Sequence, residues 1–133
     1  MDRRHPTRSL TGLARDLTLF AARLLIAALF LGGFVQKLAD PGPVMLLLAE
    51  RGLPGWLVWP AEAFNLAAGL MLLAGVWVTP VTLALAVYCA FTSVFHFKPE
   101  DAWQMTIFVK NWAIAGGCLA LAVAGAGSWR IGR

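Results

Sequence analysis

Apolar residues run along this chain in long unbroken stretches, without strict alternation. Four stand out, residues 17–36, 56–78, 80–97 and 103–124. Each approaches the roughly 17–25 residues that a helix needs to cross about 30 Å of hydrocarbon. Lipid offers no partner to a free peptide group, so each stretch is predicted to be a helix that satisfies its own backbone. A membrane β-barrel would alternate apolar and polar positions, and these runs do not. The predicted fold is therefore all-α, an integral membrane four-helix bundle. One domain covers residues 16–126, between a basic arm at 1–15 and a short basic tail at 127–133.

Breaker residues set the limits. Asp40-Pro41-Gly42-Pro43 ends the first span, since proline cannot continue a helix. Residues 44–50 suit a short surface helix, and Gly52-Leu53-Pro54-Gly55 turns the chain into the second span. Thr79-Pro80 is predicted as a tight hairpin between spans two and three. Lys98-Pro99-Glu100-Asp101 forms the last connection, with Asp101 as N-cap of the fourth helix. Trp56, Trp59, Trp77, Trp103 and Trp129 fall near span ends, where the indole ring prefers the interface; Trp112 lies inside the fourth span. Ala113/Gly117 and Gly116/Ala120 have the spacing of close helix–helix packing faces, and Gly32-Gly33 suggests the same for the first span. That first span is too long for a signal-peptide core and no small-residue cleavage site follows it, so it reads as uncleaved.

Composition agrees with a membrane class. Charged residues make up 14% of the chain and hydrophobic ones 59%, with mean hydropathy +0.72; a soluble domain carries about 25% charged residues. A pI near 9.7 suggests nucleic acid only until the basic residues are located. Arg3, Arg4, Arg8 and Arg15 precede the first span, and Arg130 and Arg133 follow the last. Lys37, Arg51 and Lys98 on the other side are offset by Asp40, Glu50, Glu100 and Asp101. No basic domain forms, so no nucleic-acid partner is expected; the lipid bilayer is. The positive-inside rule puts both termini in the cytoplasm.

Candidate chemistry lies in the few polar residues inside the spans. At about 1.5 Å per residue, Glu62 and Asn65 in span two and Lys110 and Asn111 in span four fall at similar depth below the outer boundary. His96 ends span three near that boundary, and Gln36 and Lys37 end span one there. These seven residues make a candidate ligand-binding pocket in the outer half of the bundle. Glu62, Asn65 and Gly69 share one helix face, as do Cys89, Thr92, Ser93 and His96. Glu62 and Lys110, opposite in charge and level in depth, are predicted to pair, either as a structural staple or as part of a site. Arg23 is expected to snorkel to the cytoplasmic head groups. No metal site is expected, because the only other histidine is His5, on the opposite side. Cys89 and Cys118 read as small packing residues without a disulfide. No nucleotide, redox-dithiol or catalytic-triad motif occurs, and no catalytic residue is assigned.

At these residues the chain resembles the DoxX family of four-helix bacterial membrane proteins. Ala22-Arg23-Leu24-Leu25 through Gly32-Gly33 to Lys37-Leu38 looks like the family's first segment. Glu62 with Ala68-Gly69-Leu70 and Leu73-Ala74-Gly75 looks like its second. Phe95-His96-Phe97, Val109-Lys110-Asn111 and Ala115-Gly116-Gly117 look like its closing part. Val78-Thr79-Pro80 lacks the basic residue often found at that turn. The resemblance implies a multi-pass protein of the bacterial inner membrane. It also implies a link to redox chemistry, since the family includes a membrane subunit of a thiosulfate:quinone oxidoreductase.

Three functions stay open on the sequence. The first is a redox-associated membrane subunit whose polar pocket holds a quinone; the chain has no intrinsic cofactor motif, so a quinone or a partner would supply the electron chemistry. The second is a non-catalytic accessory or assembly subunit, packed on a membrane-protein partner or on its own copies. The third is a small oligomeric transporter, against which stands the lack of polar residues in the inner half apart from Arg23.

Overall fold

The computed structural model describes residues 10–131. It contains helices α1 (Leu10–Ala39), α2 (Gly42–Glu50), α3 (Val58–Ala74), α4 (Val78–Ser93) and α5 (Ala102–Ala124), and no strand among the described residues. A 3-10 turn, Gly55–Leu57, leads into α3, and another, Val94–His96, follows α4. Four segments are long and apolar enough to cross a membrane: Thr11–Ala39, Gly55–Ala74, Val78–His96 and Ala102–Ala124. Their outward faces carry large apolar side chains such as Leu25, Val87 and Val123, at 70%, 70% and 91% exposure. A soluble bundle would not leave this much apolar surface uncovered.

The helices pack mainly in two antiparallel pairs, α1 with α3 and α4 with α5, joined along α3–α4 and α1–α5. Around the bundle the order is therefore α1, α3, α4, α5, which sets α3 and α5 diagonally opposite. At Gly69 the Leu31 side chain of α1 packs directly on the α3 backbone: a Cβ there would fall 2.7 Å from Leu31 Cγ. Ala27, Phe30, Ala68, Leu72, Leu85, Cys89, Ala115 and Cys118 fill the centre. Both cysteines are buried free thiols.

Local chemistry explains the helix limits, and some differ from the sequence expectation. Asp101 Oδ1 accepts from the backbone N–H of Trp103 and Gln104 at 3.0 and 3.2 Å, the predicted cap. α3 ends earlier than predicted, at Ala74, because Gly75 takes φ +77° and closes the helix in the left-handed conformation. The turn to α4 is consequently made by residues 75–77, with Trp77 also left-handed at φ 49°. Thr79 and Pro80 belong to the first turn of α4, where proline's missing N–H leaves no hydrogen bond unmade. Residues 10–15, expected in the basic arm, open α1; residues 1–9 of that arm lie outside the described part.

α2 lies across the end of the bundle that carries the α1–α3 and α4–α5 connections, here the loop end. It touches both 3-10 turns and is tied down by Lys98 Nζ–Glu50 Oε2 at 2.5 Å. Next to it, Arg51 Nη2 donates to Val94 O at 2.7 Å. At the opposite, termini end, residues 125–131 fold back over α1 and α3. Ser128 N donates to Asp16 Oδ1 at 3.0 Å, Ile131 N to Ala74 O at 2.7 Å, and Trp129 stacks near Phe20 with centroids 5.6 Å apart. The last turn of α5 would otherwise leave carbonyls without partners. Thr79 Oγ1 donates to Ala122 O at 2.7 Å and Arg15 Nη2 to Ala124 O at 3.2 Å.

Candidate functional site

Arg23 corrects one expectation. It does not snorkel; it is 1% exposed. Its Nη1 donates to Leu72 O at 3.3 Å, its Nη2 donates to Trp129 O, and its guanidinium carbon lies 5.4 Å from the Phe20 ring centroid. Gly75 leaves the room this requires, since a Cβ there would collide with Arg23 Nη1 and with Arg130 Cβ. Snorkelling is the cheap solution for a cation facing lipid. Here α1 aims the side chain inward, where carbonyls from α3 and the tail solvate it instead.

The polar residues of the loop-end half form a cluster with different partners from those predicted. Glu62 and Asn65, one turn apart on α3, are 2% and 1% exposed. The ion pair of Glu62 is with Lys37 of α1, Nζ–Oε1 3.2 Å, and not with Lys110. The reason is the packing order: α1 lies beside α3, whereas α5 lies diagonally across the bundle, so equal depth does not bring Lys110 near Glu62. Lys37 is about one-third exposed and its carboxylate partner almost fully covered, at 30% and 3%.

Asn65 Nδ2 donates to both Glu62 Oε1 and Tyr88 Oη, each at 3.2 Å. The reverse amide orientation would set two acceptors against each other, so the ion pair with Lys37 and the amide orientation support one another. Tyr88 of α4 was not among the expected site residues. It is the only tyrosine of the chain, and that rarity inside an apolar span was the available signal. Its ring packs on Phe64 at 5.2 Å and edges Phe30 at 6.4 Å, which leaves its hydroxyl as the polar tip.

Two acceptors in this cluster, Glu62 Oε2 and Asn65 Oδ1, are buried without a hydrogen-bond partner among the described residues. Unmet buried acceptors cost roughly 1–3 kcal/mol each. Donors stand beside them: Lys37 keeps N–H groups beyond the one on Glu62, and Tyr88 keeps its O–H, since its oxygen accepts from Asn65. The cluster Lys37–Glu62–Asn65–Tyr88 thus presents both donors and acceptors at one place.

The other expected residues fall elsewhere. His96 is half-buried and its Nδ1–H donates to Gln104 Oε1 at 2.7 Å, which ties α4 to α5. Lys37, Lys98 and Lys110 all lie within electrostatic reach of that ring. Gln36 is exposed and Asn111 half-buried. Lys110 is exposed and makes no hydrogen bond or ion pair to the described residues. The small-residue spacing on α5 is also corrected. Ala113, Gly116, Gly117 and Ala120 face outward, and the helix packs on its neighbours through Ala115, Cys118, Leu121 and Ala122. No three His, Cys, Asp or Glu side chains gather into a metal-binding group among the described residues.

The family model described as DoxX matches residues 18–98, more than half of the chain. The chain belongs to the DoxX family. Its matched DoxX region includes Lys37, Glu62, Asn65, Tyr88 and His96, so the whole buried cluster lies within it; Gln104, Lys110 and Asn111 lie beyond. The protein is also similar to "Inner membrane protein YqjF" of Escherichia coli (strain K12), 27% identical over 119 residues, which cover 89% of this chain and 92% of the relative. No solved structure matches. The four apolar helices and this family membership together make it a multi-pass membrane protein.

Proposed function

We propose that this chain is a redox-associated membrane subunit that holds a quinone head group at Lys37, Glu62, Asn65 and Tyr88. The observation that carries the reading is the pair of buried acceptors, Glu62 Oε2 and Asn65 Oδ1, left without donors beside two groups with N–H or O–H still to give. A quinol offers hydroxyls to such acceptors, and a quinone offers carbonyls to such donors. One head group in either state therefore complements the cluster, and polar groups this few, inside an apolar wall, are what fix a ligand's orientation. Intramembrane ionisable residues are by default functional ones. The name of the E. coli relative supports placement in a bacterial inner membrane. Arginines before α1 and after α5 support cytoplasmic termini, which turns the loop end and its cluster outward.

The test is titration of the purified protein in nanodiscs with a short-tailed benzoquinone and its quinol. Wild type is expected to bind, and Asn65→Leu to bind about tenfold more weakly, on the scale of one lost hydrogen bond. Absence of binding by wild type sinks the proposal.

A second reading, an accessory subunit packed on another membrane helix, has its own observation. Lys110 stands eight residues into α5, about 12 Å from its start, exposed and without a polar partner among the described residues. Gly116 and Gly117 have nothing within 4 Å of a built Cβ, so the bundle itself gives no reason for them to be glycine. A neighbouring helix packed there would supply one. Native extraction of the wild type should then give a particle larger than one 14.3 kDa chain with its lipid, and Gly117→Leu should reduce it. A particle of unchanged size in the variant argues against this reading.

A further inference from the structure

A groove of about 190 Å³ runs between α3 and α4, lined by Phe64, Ala67 and Met71 on one side and Trp77, Val81 and Ala84 on the other. Its walls are apolar, and Ala67, Trp77 and Ala84 at its rim are exposed on the surface that faces lipid. Along α3 it extends from Phe64 to Met71, about 10 Å, toward the termini end. Its upper end adjoins the polar cluster through one pair of packed rings. Phe64, which lines the groove, packs on the Tyr88 ring at 5.2 Å, and Tyr88 Oη in turn receives the Asn65 amide at 3.2 Å. Asn65 and Glu62, immediately beyond, hold the unmet acceptors and are at least nine-tenths buried.

We infer that the ligand of the cluster is a lipid-borne amphiphile, that its isoprenoid or alkyl tail occupies the α3–α4 groove, and that its head reaches Glu62 and Asn65 from the bilayer past the Phe64–Tyr88 ring pair. The inference rests on the head-group reading above and adds the class of ligand, its route and its direction: head toward the loop end, tail toward Trp77. The apolar groove alone would admit any acyl chain. Its position one ring pair away from buried acceptors that lack donors is what selects a chain carrying a hydroxyl-bearing or carbonyl-bearing head.

Because lipid tails are as apolar as the groove, the tail gains affinity by close packing and not by leaving water. The expected effect is accordingly modest. The experiment compares two benzoquinone probes, one short-tailed and one with a multi-isoprenoid tail, on wild type, Ala67→Leu and Ala84→Leu in nanodiscs. Each substitution places a side chain in the groove from an exposed position, away from the cluster. Either variant is expected to bind the long-tailed probe about three- to tenfold more weakly and the short-tailed probe as wild type does. A bromine placed on the tail is expected to quench tryptophan fluorescence in wild type and less in Trp77→Phe. If both variants bind both probes like wild type, the groove inference fails while the head-group reading stands. Equal losses for both probes also overturn it, since the substitutions would then be acting on the head site. If wild type binds neither probe, the head-group reading fails first and takes the groove with it.

Discussion

Arg23→Leu is expected to lower the stability of the purified protein by roughly 3 kcal/mol and to release the C-terminal segment. The guanidinium is 1% exposed and solvated by Leu72 O and Trp129 O. Leucine is shorter and donates nothing, so two carbonyls lose a charged donor; hydrogen bonds to charged groups contribute about 1.5–3 kcal/mol each. Part of that loss is offset because a buried cation no longer has to be desolvated, which keeps the estimate below the sum. Without Trp129 O on Arg23, the segment 125–131 retains Ser128 N–Asp16 and Ile131 N–Ala74. It is then expected to become sensitive to a protease added at that face. Thermal unfolding in micelles and limited proteolysis read the two effects separately. Arg23→Lys should rescue only in part, since an ammonium lacks the flat fork that reaches two carbonyls at once. A variant as stable and as protease-resistant as wild type would show that the arginine is tolerated rather than used.

Lys37→Met is expected to destabilise by about 3 kcal/mol, whereas Lys110→Met should cost less than about 1 kcal/mol. Removing Lys37 strands Glu62, which is 2% exposed, and an uncompensated buried charge typically costs roughly 3–5 kcal/mol. The lower figure applies because Lys37 is itself about one-third exposed, at 30%, and its side of the pair is partly solvated. Lys110 makes no comparable contact, so its loss leaves nothing stranded. Removing both partners of the buried pair should hurt less than removing one. Lys37→Met/Glu62→Gln is therefore expected to recover much of the stability, because the remaining amide can still accept from Asn65. Unfolding measured across these variants tests the assignment. Equal losses for Lys37→Met and Lys110→Met, or a double variant no better than Lys37→Met alone, would count against the Lys37–Glu62 pair.

Helix-level features were legible because they depend on local chemistry. Asp101 caps α5 because a carboxylate before an apolar run satisfies free N–H groups whatever surrounds it. Glu62 and Asn65 share a buried face because one turn separates them on any helix. The turn after α3 was misplaced because two signals competed. Pro80 looked like the breaker, but proline is tolerated in a first helical turn, and Gly75 made the actual stop. The α5 glycines misled for a similar reason. Small residues mark where a helix can be approached closely, not whether a neighbour in the same chain does so.

Partner choice was not legible. Depth along a helix is a one-dimensional quantity fixed by rise per residue, and it set Lys110 level with Glu62. Which helices are adjacent is a two-dimensional quantity across the bundle, and apolar helix surfaces of similar composition leave several orders nearly equivalent in sequence. Gly69 against Leu31 and the tail against Arg23 are long-range contacts that pick one order. By itself, then, the sequence determined four apolar helices and most of their limits to within a few residues, because each follows from local hydrogen bonding and from the length needed to cross lipid. Only the tertiary structure decided that Lys37 and not Lys110 meets Glu62, that Tyr88 joins them, and that Arg23 turns inward under the C-terminal segment, because each depends on which helix faces which.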